Sequence, residues 1–224
     1  FVKNPKISGL AIVLAGLIPF WVFVGERMLP ALVTLFLYVV LLFAVAMKSH
    51  YTVTMEKMGG SFFLSIVIPY FLSTFIRIRE MPDWRYYILL PFVVAWLSDA
   101  FALFAGMAFG KHKLAPELSP KKTVEGAVFG LLGGVAFALV LIPLQRVWES
   151  SISSGVLLTL GVLCGTFGQI GDLFASIIKR WAGVKDFSSV FPGHGGMMDR
   201  IDSILLCAPI VLCTFTILQI FGIY

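Results

Sequence analysis

The sequence predicts an all-α, polytopic integral membrane helical bundle with about seven transmembrane helices, and three observations carry that prediction. Its 224 residues are 59% hydrophobic and only 13% charged, against roughly half and a quarter in soluble domains. Mean hydropathy is +0.96, more apolar surface than one small soluble core can hide. The apolar residues also fall into seven separate runs, each close to the length of about 20 that crosses about 30 Å of hydrocarbon.

The runs cover about 7–24, 28–47, 59–76, 86–109, 124–143, 155–178 and 202–221. The first lacks a small-residue cleavage site and reads as a helix, not a signal peptide. The chain opens at Phe1 rather than Met, which leaves room for additional N-terminal helices. The second and third runs are apolar spans between short charged loops. The fourth carries an acid, Asp99, at its middle. Ser119 followed by Pro120 marks a helix start ahead of the fifth run, as N-cap and first helical residue. The sixth holds a second acid, Asp172, about one and a half turns from its end. Asp199 and Arg200 lead into the seventh, which begins at Asp202. Together the runs fill most of residues 1–224, so a single membrane-embedded domain is expected. Cys164, Cys207 and Cys213 all fall inside runs without a CxxC pattern, and each reads as a small buried apolar residue.

Basic residues orient the bundle, because cytoplasmic loops are enriched in Lys and Arg. The N-terminal tail and the second, fourth and sixth loops hold 12 of the 17 basic residues, including every lysine. That side is expected to face the cytoplasm. The net charge of +5 follows from this topology and from anionic headgroups, so no nucleic-acid partner is implied.

Acids at membrane depth are costly and usually face a cavity, a cation or a basic partner. Asp99 sits about 15 Å from the end of its run at 1.5 Å per residue; a protonated helix-to-helix hydrogen bond is the plain alternative. Asp199 and Asp202 are three apart, so on a helix they share a face, or else serve as capping groups near the dipole's positive end. With Asp172 they offer hard oxygen donors of the kind Mg²⁺ takes, alongside water and substrate phosphate. Lys179, Arg180, Lys185 and Arg200 stand close by in sequence, a composition suited to a metal-bound polyphosphate; a solvated charged loop is the bland reading. Gly193, Gly195 and Gly196 surround His194 and let backbone approach an anion. His194 itself can donate to phosphate, act as acid or base, or cap the turn. Lys121 and Lys122 would lie in the first turn of the fifth helix, where the dipole prefers acids. That misfit suggests an anionic ligand, against the alternative of plain cytoplasmic positive charge.

At this point the residues resemble the CDP-diacylglycerol synthase (phosphatidate cytidylyltransferase) family. The 27-residue stretch from Ser176 to Asp202 matches its signature at Ser176, Lys179, Arg180, Lys185, Asp186, the His194-Gly195-Gly196 triplet, Asp199, Arg200 and Asp202. Ser98-Asp99, Gly110-Lys111 and the run Ser119-Pro120-Lys121-Lys122-Thr123-Val124-Glu125-Gly126 look like that family too. The resemblance implies a Mg²⁺-dependent membrane nucleotidyltransferase, with room for a second cation. It would join CTP to phosphatidate, giving CDP-diacylglycerol and pyrophosphate in phospholipid biosynthesis. It would sit in a bacterial-type inner (plasma) membrane with its active site facing the cytoplasm. In this reading Asp172, Asp199 and Asp202 hold the metal, and Lys179 and Arg180 complete the catalytic set. Asp99, Lys121, Lys122, Lys185, Asp186, His194, Gly195, Gly196 and Arg200 bind substrate. The implied partners are CTP, phosphatidate and membrane lipids, with a homodimer left open.

Three rivals are weighed against it. A secondary transporter also carries midplane acids, yet no inverted repeat is visible and the loops look phosphate-directed. A CDP-alcohol phosphotransferase would need a D-G-x₂-A-R spacing that does not occur here. A CTP-dependent polyprenol kinase-like enzyme is the nearest alternative, separated by whether CTP gives up its cytidylyl or its phosphoryl group.

Overall fold

A computed structural model describes residues 5–24, 28–48, 54–145, 152–188, 196 and 198–222. Among them the elements run α1 (Pro5–Phe23), α2 (Met28–Lys48), α3 (Met55–Arg79), a one-turn α4 (Trp84–Tyr87), α5 (Leu90–Phe109), β1 (Lys113–Ala115), β2 (Ser119–Thr123), α6 (Val124–Leu144), α7 (Ser154–Trp181) and α8 (Ile204–Phe221). A 3₁₀ turn, Met198–Arg200, precedes α8.

Seven of these helical segments are long and apolar enough to cross a membrane, α4 and α5 together forming one span. Only 11–39% of each spanning window is buried inside the protein. Large apolar side chains such as Phe36, Trp96, Phe104 and Leu139 stand outward. Water would penalise that surface, whereas lipid does not, and a helix satisfies its own backbone in hydrocarbon. The chain is therefore an integral membrane protein of the all-α class.

Two compact units are present, Phe1–Arg77 and Ile78–Tyr224. In the first, Ile7, Leu14, Tyr38, Leu42 and Met58 are buried together, with Leu10, Phe62 and Ile66 packed around them. The Tyr38 hydroxyl lies 3.2 Å from Ser65 Oγ, so this buried polar atom has a partner.

The second unit packs α6 between α5 and α7, with α8 against α7 and α5. Small residues set how close these helices come, as is usual where lipid removes the hydrophobic drive for association. A Cβ on Gly134 would strike the backbone of Gly161, and one on Gly171 would sit 2.7 Å from the Asp202 carbonyl oxygen. The Tyr86 hydroxyl donates to the Leu141 carbonyl at 3.2 Å, and Tyr87 stacks on Phe215 at 3.9 Å. Both aromatics tie the α4 turn to the bundle.

Two expectations need correction. Ser119 and Pro120 do not start a helix; residues 119–123 form β2, paired antiparallel with β1. The helix begins at Val124, because the Thr123 hydroxyl accepts the Gly126 N–H at 3.1 Å and caps it. Lys121 and Lys122 thus precede the helix, and their conflict with its dipole disappears. Second, Cys164 and Cys207 are buried, but Cys213 is exposed on α8.

Candidate active site

Four aspartates and two lysines of the second unit form the centre of the site. Asp99 comes from α5, Asp172 from α7, Asp199 from the 3₁₀ turn and Asp202 from the turn entering α8. The close approach of Gly171 to the Asp202 backbone brings the last of these beside Asp172. The Ser203 hydroxyl donates to Asp99 Oδ2 at 3.0 Å, joining α5 to the start of α8.

Each acid at the mouth has a cationic partner. Lys122 Nζ lies 2.5 Å from Asp172 Oδ2. Lys179 Nζ lies 2.9 Å from Asp199 Oδ1 and 3.9 Å from Asp202 Oδ2. Asp199 Oδ2 accepts the backbone N–H groups of Phe187 and Gly196, both at 2.9 Å. Partial burial acts to raise the Asp199 carboxyl, but the Lys179 ammonium and those two N–H groups outweigh it and hold it below the usual aspartate value. Asp202 behaves oppositely. Burial first, then the Asp172 charge, push it up to about 7 against the pull of the Ser203 N–H and Lys179.

α7 extends to Trp181, past the expected end, so Lys179 and Arg180 are its last turn and Asp172 lies deeper than expected. Arg180 Nε donates to the Leu118 carbonyl at 3.4 Å, bracing the hairpin tip. Lys121, Lys185, Asp186 and Arg200 are exposed. Gly196 is buried, and a Cβ there would come within 2.9 Å of the Ser188 backbone nitrogen. His194 and Gly195 lie outside the described residues. Asp199 and Asp202 do not share a helix face; a 3₁₀ turn and a further turn carry them, and Lys179 links them instead.

Among the described residues no three His, Cys, Asp or Glu side chains are grouped to hold one ion between them. Asp172, Asp199 and Asp202 therefore form no closed triad, and each of them already faces a lysine. The donor set does fit Mg²⁺, which takes one or two carboxylates and completes its shell with water and substrate phosphate. Asp172 and Asp202, near enough for one charge to raise the other's pKa, are the natural pair. The buried Ser98 hydroxyl, one residue before Asp99 on α5, has no hydrogen-bond partner among the described residues.

Sequence reasoning placed Glu125 in the family-like run without giving it a role, and it missed Ser203. Glu125 accepts from the backbone N–H groups of Lys111 and His112 and from His112 Nδ1. The signal was present: an acid in the first turn of α6 just after the Thr123 cap. Nothing in the sequence marked Ser203.

The fold and site define a class: membrane-embedded helical proteins that gather alternating acids and lysines at one end of the bundle. Within that class the chain belongs to the cytidylyltransferase family, whose sequence model matches residues 2–218. It is 40% identical over 176 residues to the phosphatidate cytidylyltransferase of Bacillus subtilis, covering 75% of this chain and 64% of that protein. The Staphylococcus saprophyticus protein of the same name is 43% identical over 126 residues, 56% of this chain and 47% of its own. That of Aquifex aeolicus is 41% identical over 155 residues, 67% and 56%. The chain thus spans between about half and just under two thirds of the length of these relatives.

Proposed function

We propose that this chain carries the catalytic centre of a phosphatidate cytidylyltransferase, making CDP-diacylglycerol and pyrophosphate from CTP and phosphatidate. The observation that supports it best is the alternation of Lys122, Asp172, Lys179, Asp199 and Asp202 in a membrane unit of this family. Lysines bind phosphate as point charges, and carboxylates accept a hard cation.

A phosphatidate oxygen attacks the α-phosphorus of CTP; the new P–O bond forms as the bond to the β-phosphate oxygen breaks, and pyrophosphate leaves with the electron pair. The attacking phosphate is largely ionised at neutral pH, its second pKa being about 6 by analogy with phosphorylated side chains. No strong general base is needed, which suits a site with no catalytic dyad among its described residues. Catalysis then rests on alignment and charge neutralisation. Lys122 and Lys179 hold phosphate oxygens, Asp199 orients Lys179, and Gly196 lets backbone pass close to the nucleotide. Asp172 and Asp202 are the residues that would hold Mg²⁺, which when bound supplies charge neutralisation on the phosphate oxygens. Lys121, Lys185 and Arg200 stand exposed where incoming anions would meet them, and the lysine-rich side would face the cytoplasm.

The test is a detergent-micelle assay with labelled CTP, phosphatidate and Mg²⁺, with and without chelator. Lipid-extractable cytidine label with pyrophosphate release, lost on chelation, is the expected result. Folded protein that transfers no label, or phosphorylates a polyprenol instead, overturns it.

A further inference from the structure

We propose that Glu125, together with His112, is a positioning latch that holds the β1–β2 hairpin so that Lys122 meets the site. This rests on the reading of Lys122 as a phosphate-binding group. Glu125 is the second residue of α6, and an acid there is usually explained by the helix dipole alone. Its carboxylate does more. Oε2 accepts the Lys111 N–H at 3.1 Å and the His112 N–H at 3.2 Å. Oε1 lies 2.6 Å from His112 Nδ1, and since a carboxylate only accepts, that ring nitrogen carries the proton.

These contacts join the segment leaving α5 to the segment entering α6. The Val124 N–H donates to the His112 carbonyl at 2.9 Å, and Thr123 caps α6 in the same place. A Cβ on Gly110 would come within 2.6 Å of Thr123 Cγ2, so the segment leaving α5 passes too close to the Thr123 side chain for anything larger than glycine. The hairpin is therefore stitched at its base by Glu125 and braced at its tip, where Arg180 reaches Leu118. Lys122 lies on β2 between those two anchors, and its ammonium meets Asp172 at 2.5 Å.

His112 is 78% exposed and Glu125 25%. An ion pair so open to water contributes little to global stability. Its specific effect is on where the hairpin sits, because four hydrogen bonds converge on one side chain and fix two consecutive backbone N–H groups.

The test uses Glu125→Gln, which keeps the side-chain size but turns one acceptor into an NH₂ facing N–H donors, and His112→Ala, which spares the backbone fork. Two readouts are taken on the full chain: steady-state kinetics with CTP, and labelling of Lys122 by an amine-reactive reagent, followed by mass spectrometry without nucleotide. Glu125→Gln is expected to raise the KM for CTP roughly tenfold, the loss of about one charge-assisted hydrogen bond, with kcat nearly unchanged. Lys122 should label several-fold faster and the melting midpoint should hold; His112→Ala should shift both readouts less. Unchanged Lys122 labelling, an unchanged KM, or a KM rise accompanied by a large fall in melting midpoint overturns the latch. Should the wild type transfer no cytidylyl group, the function fails, and the labelling arm alone still decides whether Glu125 fixes Lys122.

Discussion

Lys179 and Asp199 meet at 2.9 Å with only 13% and 10% of their side chains exposed, and the second Asp199 oxygen holds the Phe187 and Gly196 N–H groups. One carboxylate thus anchors both the end of α7 and the backbone leading to α8. Asp199→Ala should abolish turnover and leave the nearly buried Lys179 ammonium only its longer contact with Asp202 at 3.9 Å, at a cost of about 3 kcal/mol. Asp199→Asn still accepts the backbone N–H groups, so it should melt near wild type while turnover stays low. Thermal unfolding beside turnover separates the two effects; wild-type activity in Asp199→Ala would remove the residue from the site.

Lys122 and Asp172 should behave as a coupled pair. Lys122→Met keeps the stem and removes the charge, and is expected to raise KM about tenfold, the equivalent of about 1.4 kcal/mol. Adding Asp172→Asn should cost less than the sum of the single changes, since contacting residues couple by about 0.5–3 kcal/mol. Strict additivity in the double-mutant cycle would mean the ion pair is not maintained in the working enzyme.

Stability of the cation-free protein should fall as pH rises toward neutrality. Asp202 titrates at about 7 in the fold, above its ordinary 3.8, so its favourable contribution is complete below 3.8 and is lost as pH passes 7. Asp199 is shifted the other way; its contribution is already complete above its ordinary value and stays level across this range. In chelator, the melting midpoint should therefore fall steadily from pH 3.8 to about pH 7 and level off above that, and Asp202→Asn should flatten the drop. A profile unchanged by that substitution would assign the titration to another group.

Gly171→Ala should damage the site more than its size suggests. The new methyl would lie 2.7 Å from the Asp202 carbonyl oxygen and push α8's entry away from Asp172. Overpacking of this kind costs about 1–3 kcal/mol, and activity should fall further than the melting midpoint alone predicts. Normal kinetics in a folded Gly171→Ala protein would show that the Asp172–Asp202 spacing is not critical.

Length and hydropathy made the seven spans legible, because a bilayer imposes about 20 apolar residues on each and every boundary fell within a few residues. The acids were legible because charge at membrane depth demands a reason. The hairpin was not. Ser119-Pro120 is a strong helix-start pattern, and only the competing cap at Thr123 and the pairing with residues 113–115 turned the segment into a strand. The partners of Glu125 were hidden for a related reason: they include the backbone N–H groups of residues 111 and 112, and backbone donors have no sequence signature. Pairing each lysine with a particular aspartate likewise required knowing that Gly171 lets α7 lie against the turn before α8.

On the cytidylyltransferase reading proposed above, the lysine–aspartate alternation has a consequence for the order in which ligands load. Each lysine is already neutralised by an acid, so a polyphosphate arriving alone must take the ammonium groups from their carboxylates and would strand negative charge. A divalent ion arriving alone must displace the same ammonium groups from the acids and would strand positive charge. Arriving together, each ligand satisfies the half that the other exposes. The two affinities are therefore linked, and linkage is reciprocal: nucleotide should tighten the cation by the same factor as cation tightens the nucleotide.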